Sequence, residues 1–180
     1  MYGVINKAIE GLVTDNYGEA VWQQMKLKSA AKVSNFIANE PYDDTETYQM
    51  AVVASEILET PVQQVLFNFG ERWITMAGIQ YYGLLMQAER NDLGEFLVNL
   101  PAFHHRVMIM YPNISPPEFK IIVSGDRKVE LHNYSTREGF TDFMNGLIAG
   151  MGKLYHENPI IQLKNGRTNG LDHEEFIINW

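Results

Sequence analysis

The chain contains no cysteine. That absence excludes disulfide scaffolds, thiolate-bound zinc, iron–sulfur clusters, covalently attached c-type haem and thiolate-ligated haem. Imidazole is left as the best available ligand for a soft or borderline metal. The sequence also lacks an apolar run of about 18 residues, so no membrane span is expected. Its opening stretch, MYGVINKAIEGLV, spaces its apolar residues with Asn, Lys and Glu in the manner of an amphipathic helix rather than a secretory signal. A soluble, cytoplasmic protein is the expectation. Basic residues are scarce as well: 14 Lys and Arg stand against 22 Asp and Glu, for a formal net charge of -8. No basic stripe is visible, which argues against a nucleic-acid binder, because phosphate neutralisation needs clustered cations. Repeats and low-complexity linkers are missing too.

What is present is a 180-residue chain with 46% hydrophobic and 20% charged residues. That length supports a sizeable core and an enclosed ligand cavity. One domain, or two tightly packed lobes, are both allowed.

Helical spacing dominates the first 110 residues. Ile5, Ala8, Ile9, Leu12 and Val13 share one face of a helix that should end near Asp15–Gly18. A second short helix is expected over Glu19–Lys28, and a third through TYQMAVVASEIL after the turn at Glu40–Thr45. Pro61 can open another, PVQQVLFNFGERWITMAGI, where its missing N–H costs nothing. From Asp92, EFLVNLPAFHHRVMIMY is helical again, with Pro101 expected to break that helix or to start a fresh one.

After Pro116-Pro117 the texture changes. FKIIVSG and RKVELHNYS are strand-like and separated by Gly125-Asp126, a hairpin signal of the Gly-X type. REGFTDFMNGLIAGMGKLYH returns to helical spacing, and PIIQLKNG with EEFIINW reads as a second strand pair. Helices followed by about four antiparallel strands enclosing a helix give an α+β fold.

Of the five histidines, at 104, 105, 132, 156 and 173, no pair has the HExxH spacing of a helical zinc site. His104 and His105 are adjacent and point about 100° apart on a helix, so they cannot both face one metal. Phe96 and Leu100 behind His104, with Val107, Met108 and Tyr111 ahead of it, place this imidazole on an apolar stripe. Spacing alone leaves two readings open, a hydrogen-bonded core histidine or a metal ligand in an apolar shell.

Four landmarks in order resemble the haem–nitric oxide/oxygen binding (H-NOX) family. They are Asn99-Leu100-Pro101-Ala102-Phe103-His104, then Tyr111-Pro112, then Pro116-Pro117-Glu118-Phe119, then LHNYSTREG from Leu131 to Gly139. MYGVINKAIE, the FGERW segment at Phe69–Trp73 and the ending LDHEEFIINW are similar to the same family, closest to cyanobacterial-type, stand-alone bacterial members. The family includes the haem domain of soluble guanylate cyclase. The resemblance implies a b-type haem held between a helical distal lobe, approximately residues 1–60, and a proximal α/β lobe, 61–180. It assigns His104 as the iron ligand and Pro117 as a residue pressing on the macrocycle. Ile5 and Leu147 become distal apolar neighbours.

The family holds the haem propionates with a Tyr-x-Ser-x-Arg motif. A guanidinium binds a carboxylate bidentately and hydroxyls fill its remaining acceptor sites. Ser135 and Arg137 match in type and in strand phase. Asn133 stands where the family has Tyr, and Tyr134 next to it points to the other face unless a bulge intervenes. Which of Asn133 and Tyr134 reaches a propionate is left open. Without the resemblance, Ser135 and Arg137 also read as a helix cap and an ion-pair partner.

Phe143 falls where oxygen-binding members carry a distal Tyr. Bound dioxygen draws on a hydrogen-bond donor, while nitric oxide and carbon monoxide depend on one far less. Phe143 therefore predicts nitric oxide and carbon monoxide binding with dioxygen excluded. Trp73 matches a distal aromatic that could offer its indole N–H, and core packing accounts for both aromatics equally well.

The expected function is a gas sensor and not an enzyme. Nitric oxide weakens the iron–His104 bond, the helix bearing His104 shifts, and a partner reads the movement, in bacterial members a histidine kinase or a cyclic-di-nucleotide signalling protein. A dioxygen or redox sensor, a haem enzyme such as a peroxidase, and a haem-free interaction domain are the alternatives.

Overall fold

A computed structural model describes residues 3–29, 35–80, 83, 92–110, 115–137 and 139–180. The Tyr111-Pro112 landmark lies outside these described residues, as do Met1, Tyr2 and Glu138 of the other motifs.

Four helices open the chain: α1 (Gly3–Tyr17), α2 (Glu19–Lys28), α3 (Asp44–Ile57) and α4 (Val62–Arg72). α1 buries Val4, Ala8, Ile9 and Val13, the face that the 3.6-residue spacing selects. Asp43 caps α3 by accepting from the Thr45 backbone N–H at 2.9 Å and from its hydroxyl at 2.8 Å. Inside the lobe, the buried Thr47 hydroxyl donates to Asn6 Oδ1 at 2.8 Å and fastens α3 to α1. Ile9, Val13, Trp22, Met25, Phe36, Met50, Val65 and Phe69 form one apolar cluster, which therefore continues past residue 60 into α4.

After α4 the expected helix changes pitch. Trp73–Gly78 is π-helical, a geometry with one more residue per hydrogen-bonded turn than the α-helix. α5 (Leu93–Met110) then runs unbroken through Pro101, which corrects the expectation of a break or a fresh start there. Pro101 lies on the exposed side of α5, and the buried face of Phe96, Leu97, Leu100 and Phe103 holds the helix together across the hydrogen bond that proline gives up.

β1 (Glu118–Gly125) and β2 (Lys128–Tyr134) form a hairpin, followed by α6 (Thr141–Leu154), β3 (Ile160–Asn165) and β4 (Glu174–Asn179). The four strands make one antiparallel sheet in the order β1-β2-β4-β3. The hairpin turn centres one residue later than expected, on Asp126-Arg127, with Arg127 in the left-handed region at φ 54°. Gly125 still belongs to the strand, opposite Lys128.

Strand alternation sends Val129, Leu131, Phe176 and Ile178 into a second apolar cluster with Leu93, Phe96, Leu97, Leu100 and Phe103 of α5. The helical lobe meets this second cluster through α4 and α6. A Cβ on Gly146 would lie 2.0 Å from the Phe67 carbonyl oxygen, and one on Gly70 would lie 2.2 Å from that of Phe143. Only glycine allows the two backbones to approach so closely. That approach sets Phe143 and Leu147 of α6 beside Trp73 at the end of α4.

Candidate functional site

Between the two clusters lies a cavity of about 210 Å³. α1 contributes Val4 and Ile5, the π-helical segment Trp73 and Ile74, and α6 Phe143, Met144, Leu147 and Met151. α5 contributes Phe96, Leu100, Phe103, His104 and Val107. Polar groups come from the segment before β1 and from the ends of β2 and β4: Ser115, Asn133, Ser135, Arg137 and Glu174. Most of the wall is apolar, with a few polar groups converging, which is the usual make-up of a small-molecule site.

His104 is fixed by its own helix. Its Nδ1 lies 3.0 Å from the Leu100 carbonyl oxygen, one turn back. A carbonyl only accepts, so Nδ1 carries the proton and Nε2 keeps its lone pair. Phe119 of β1 packs against the ring at 4.7 Å between centroids and Phe103 edges it at 5.3 Å. Burial in this apolar surround pulls the pKa down from 6.5 to about 4, against a smaller upward effect of the Leu100 bond. The part of the ring that protein does not cover faces the cavity. A neutral imidazole whose Nε2 lone pair faces an apolar cavity has the protonation state and the surround that a metal ligand needs. His105, its neighbour, points outward and is exposed.

The polar end is organised around Arg137. Its Nε lies 2.8 Å from the Asp44 carboxylate of α3, and its guanidinium donates to the Ser115 carbonyl at 3.2 Å. The Arg137 backbone N–H donates to Ser135 Oγ at 3.1 Å. Arg167 ties the same corner together by donating to the Ser135 carbonyl and pairing with Glu174. Two contacts do not exhaust the five donors of a guanidinium. Asn133 is buried opposite Glu174, and its Oδ1 has no hydrogen-bond partner among the described residues. A buried amide left half-satisfied marks a place where a further polar group belongs.

Ile5, Trp73, His104, Pro117, Asn133, Ser135, Arg137, Phe143 and Leu147, all singled out from sequence, line this one cavity. Tyr134 does not. It lies on the opposite face of β2 with its ring stacked on His173 at 4.2 Å, because no bulge interrupts the β1–β2 pairing there. Ser135 and Arg137 do not cap α6, whose N-cap is Phe140, though the ion pair read as the alternative role of Arg137 is present. Asp44, Ser115, Arg167 and Glu174 were not foreseen. They lie far apart in sequence and carry no local motif.

The donor set fits an iron porphyrin on chemical grounds: one neutral imidazole for a metal, an apolar wall for a macrocycle, and a cation and a hydroxyl for peripheral carboxylates, while the orphaned Asn133 Oδ1, an acceptor, calls for a donor instead. The absence of cysteine rules out thioether attachment of such a group. Among the described residues no helix is long and apolar enough to cross a membrane.

Comparison with known proteins agrees. The family model described as Haem-NO-binding matches residues 2–163. Soluble guanylate cyclases gcy-34 and gcy-32 of Caenorhabditis elegans are each 28% identical over 188 residues, covering 99% of this chain and 27% and 28% of theirs. The human guanylate cyclase soluble subunit beta-2 is 29% identical over 103 residues, 54% of this chain and 17% of its own length. This chain thus spans about a quarter of the nematode relatives. An H-NOX protein from S. oneidensis in the Fe(II)NO state superposes with a TM-score of 0.89 at 20% identity, over 99% of this chain and 98% of that one. The unliganded Fe(II) H-NOX protein from K. algicida does so with 0.83 at 21%, over 99% and 96%.

Proposed function

The chain belongs to the haem-NO-binding family, and from that membership we propose that it is a gas sensor whose non-covalent, b-type haem is ligated by His104. The observation that carries the reading is His104 itself, neutral, with Nδ1 committed to Leu100, on the apolar wall of a cavity whose other end holds Arg137, Ser135 and Asn133. When bound, the haem would supply an iron that takes up a diatomic gas.

The protein's own residues do the rest. His104 offers Nε2 as the one protein ligand. Arg137, Ser135 and the Nδ2 amide of Asn133 would hold the propionates, and Asp44 and Ser115 hold Arg137 in place. Pro117, which lines the cavity with His104, would bear on the macrocycle. Ile5, Leu147, Phe143 and Trp73 exclude water from the gas side. Phe143 has no hydrogen-bond donor to offer a bound dioxygen, so nitric oxide and carbon monoxide are the ligands and dioxygen is refused. α5 packs on the sheet against Phe119 and Leu131, so a change in what His104 holds would be passed to the sheet along this contact and read by a partner signalling protein, a histidine kinase or a cyclic-di-nucleotide enzyme. The domain itself is a sensor, not a catalyst.

Absorption spectra of the ferrous protein under nitric oxide, carbon monoxide and air test this reading. Distinct nitrosyl and carbonyl spectra with an unchanged spectrum in air are expected. A stable oxy-complex in air would overturn the assignment from Phe143.

A further inference from the structure

The outer face of the sheet carries a second constellation that the cavity does not use. Alternation along β2 sends Glu130, His132 and Tyr134 away from the core, and the β2–β4 register sets His132 directly opposite Glu175. His173, just before β4, completes the group. His132 and His173 are both buried, each at 8% exposure, beneath the stacked ring of Tyr134.

His132 Nδ1 and His173 Nε2 lie 3.0 Å apart, and Glu175 Oε1 lies 3.5 Å from each. Three ligand atoms of three different residues thus form a nearly regular triangle. Around a tetrahedral zinc ion with bonds of about 2.0–2.1 Å, neighbouring ligand atoms are about 3.3 Å apart. The triangle has the dimensions of one face of that tetrahedron.

The remaining ring nitrogens are both turned to carboxylates. His132 Nε2 lies 3.1 Å from Glu130 Oε1, and His173 Nδ1 lies 2.6 Å from Asp172 Oδ1. A carboxylate only accepts, so each outer nitrogen carries its proton and each inner nitrogen presents a lone pair to the other. Two neutral imidazoles hold two hydrogens, whereas the chain Glu130–His132–His173–Asp172 has three contacts to satisfy. Something positive is required between the rings. The carboxylate–histidine–metal arrangement, in which an outer carboxylate fixes the tautomer of each ligand, supplies it. Glu130, Asp172 and Glu175 surround the two rings with carboxylates, offset in part by Lys164, 2.7 Å from Glu130 and 3.8 Å from Glu175, and by Lys120 opposite His132.

We propose that His132, His173 and Glu175 form a second metal site, independent of the haem cavity, that takes a divalent borderline cation of the zinc type. Two imidazoles and one carboxylate suit zinc, and calcium or magnesium would need more oxygen ligands. A fourth position is left for water. The site clamps β4 to β2 on the reverse side of Asn133 and Glu174, the β2 and β4 residues that line the cavity.

The test is titration of the tag-free, haem-loaded protein with Zn²⁺, followed by calorimetry and by metal analysis after dialysis. One zinc per chain is expected. Glu175→Gln should weaken binding at least tenfold. Asp172→Asn, at an exposed position that leaves the core untouched, should weaken it about tenfold through His173 alone. His156→Asn, an exposed histidine outside the cluster, should change nothing. No zinc retained, or equal affinity in wild type, Glu175→Gln and Asp172→Asn, would overturn the proposal and leave a shared proton between the rings.

Discussion

His104 Nδ1 lies 3.0 Å from the carbonyl oxygen of Leu100, one turn earlier in the same helix, and this single contact decides which nitrogen of the ring is free. The same apolar burial that frees Nε2 also sets a pH dependence. His104 has a pKa of about 4 in the folded chain, against 6.5 when unfolded. Between those values the unfolded chain binds the extra proton, so stability rises with pH across this window, is complete above 6.5 and is lost as pH falls through 4. The difference corresponds to roughly 3 kcal/mol. Urea unfolding of the haem-free protein at pH 4.5 and 7.5 should show a steeper loss on acidification for wild type than for His104→Leu. Equal losses would mean that His104 is protonated where it sits.

Arg137 holds a carboxylate of α3 and a carbonyl before β1 while facing the cavity, and its planar fork serves several directions at once. Arg137→Lys keeps the charge but has one point donor set instead of the fork. Transfer of haem to an excess of apomyoglobin should be about tenfold faster in that variant, and faster again in Arg137→Ala. Unchanged rates in both would remove Arg137 from the propionate contacts.

Two glycines give opposite outcomes for one added methyl. At Gly146 a Cβ would sit 2.0 Å from the Phe67 carbonyl oxygen, a backbone atom that cannot step aside without moving α4. Gly146→Ala should cost about 1–3 kcal/mol and disturb the distal wall. At Gly11, inside α1, the nearest atom is the flexible end of Met76 at 3.7 Å, so Gly11→Ala should stabilise by about 0.5–1 kcal/mol. Thermal melts of the two variants beside wild type measure both.

Phe143 lines the cavity together with Leu147 and Trp73. Phe143→Tyr adds one hydroxyl donor there. The ferrous variant should form an oxy-complex in air that wild type does not. An unchanged spectrum would place the selectivity elsewhere on the wall.

Helical spacing by itself placed Phe96, Leu100, His104 and Val107 on one stripe of the cavity wall, whereas Ile5, Trp73, Pro117, Ser135, Arg137, Phe143 and Leu147 were legible only through the resemblance to the family. Period-two alternation separates Asn133 from Tyr134, and the β1–β2 ladder, uninterrupted there, resolves that ambiguity in favour of Asn133 facing the cavity. Contacts that depend on packing between distant segments were not legible. Asp44 meets Arg137 across 93 positions, and nothing local to either residue announces it. Gly70 and Gly146 read as weak points of helices until α4 and α6 are seen backbone to backbone. Pro101 misled because a helix tolerates proline on an exposed side when its buried face holds it together. His132 and His173 share no motif spacing; only the strand register, which pairs His132 with Glu175, brings them to one point.

The central claim is that His104 Nε2 is the one bond between this protein and an iron. The most direct measurement is the absorption spectrum of ferrous His104→Gly, reconstituted with haem, with and without added imidazole. The wild-type spectrum should be lost in the variant and restored by imidazole. A variant spectrum identical to wild type without imidazole would contradict the account.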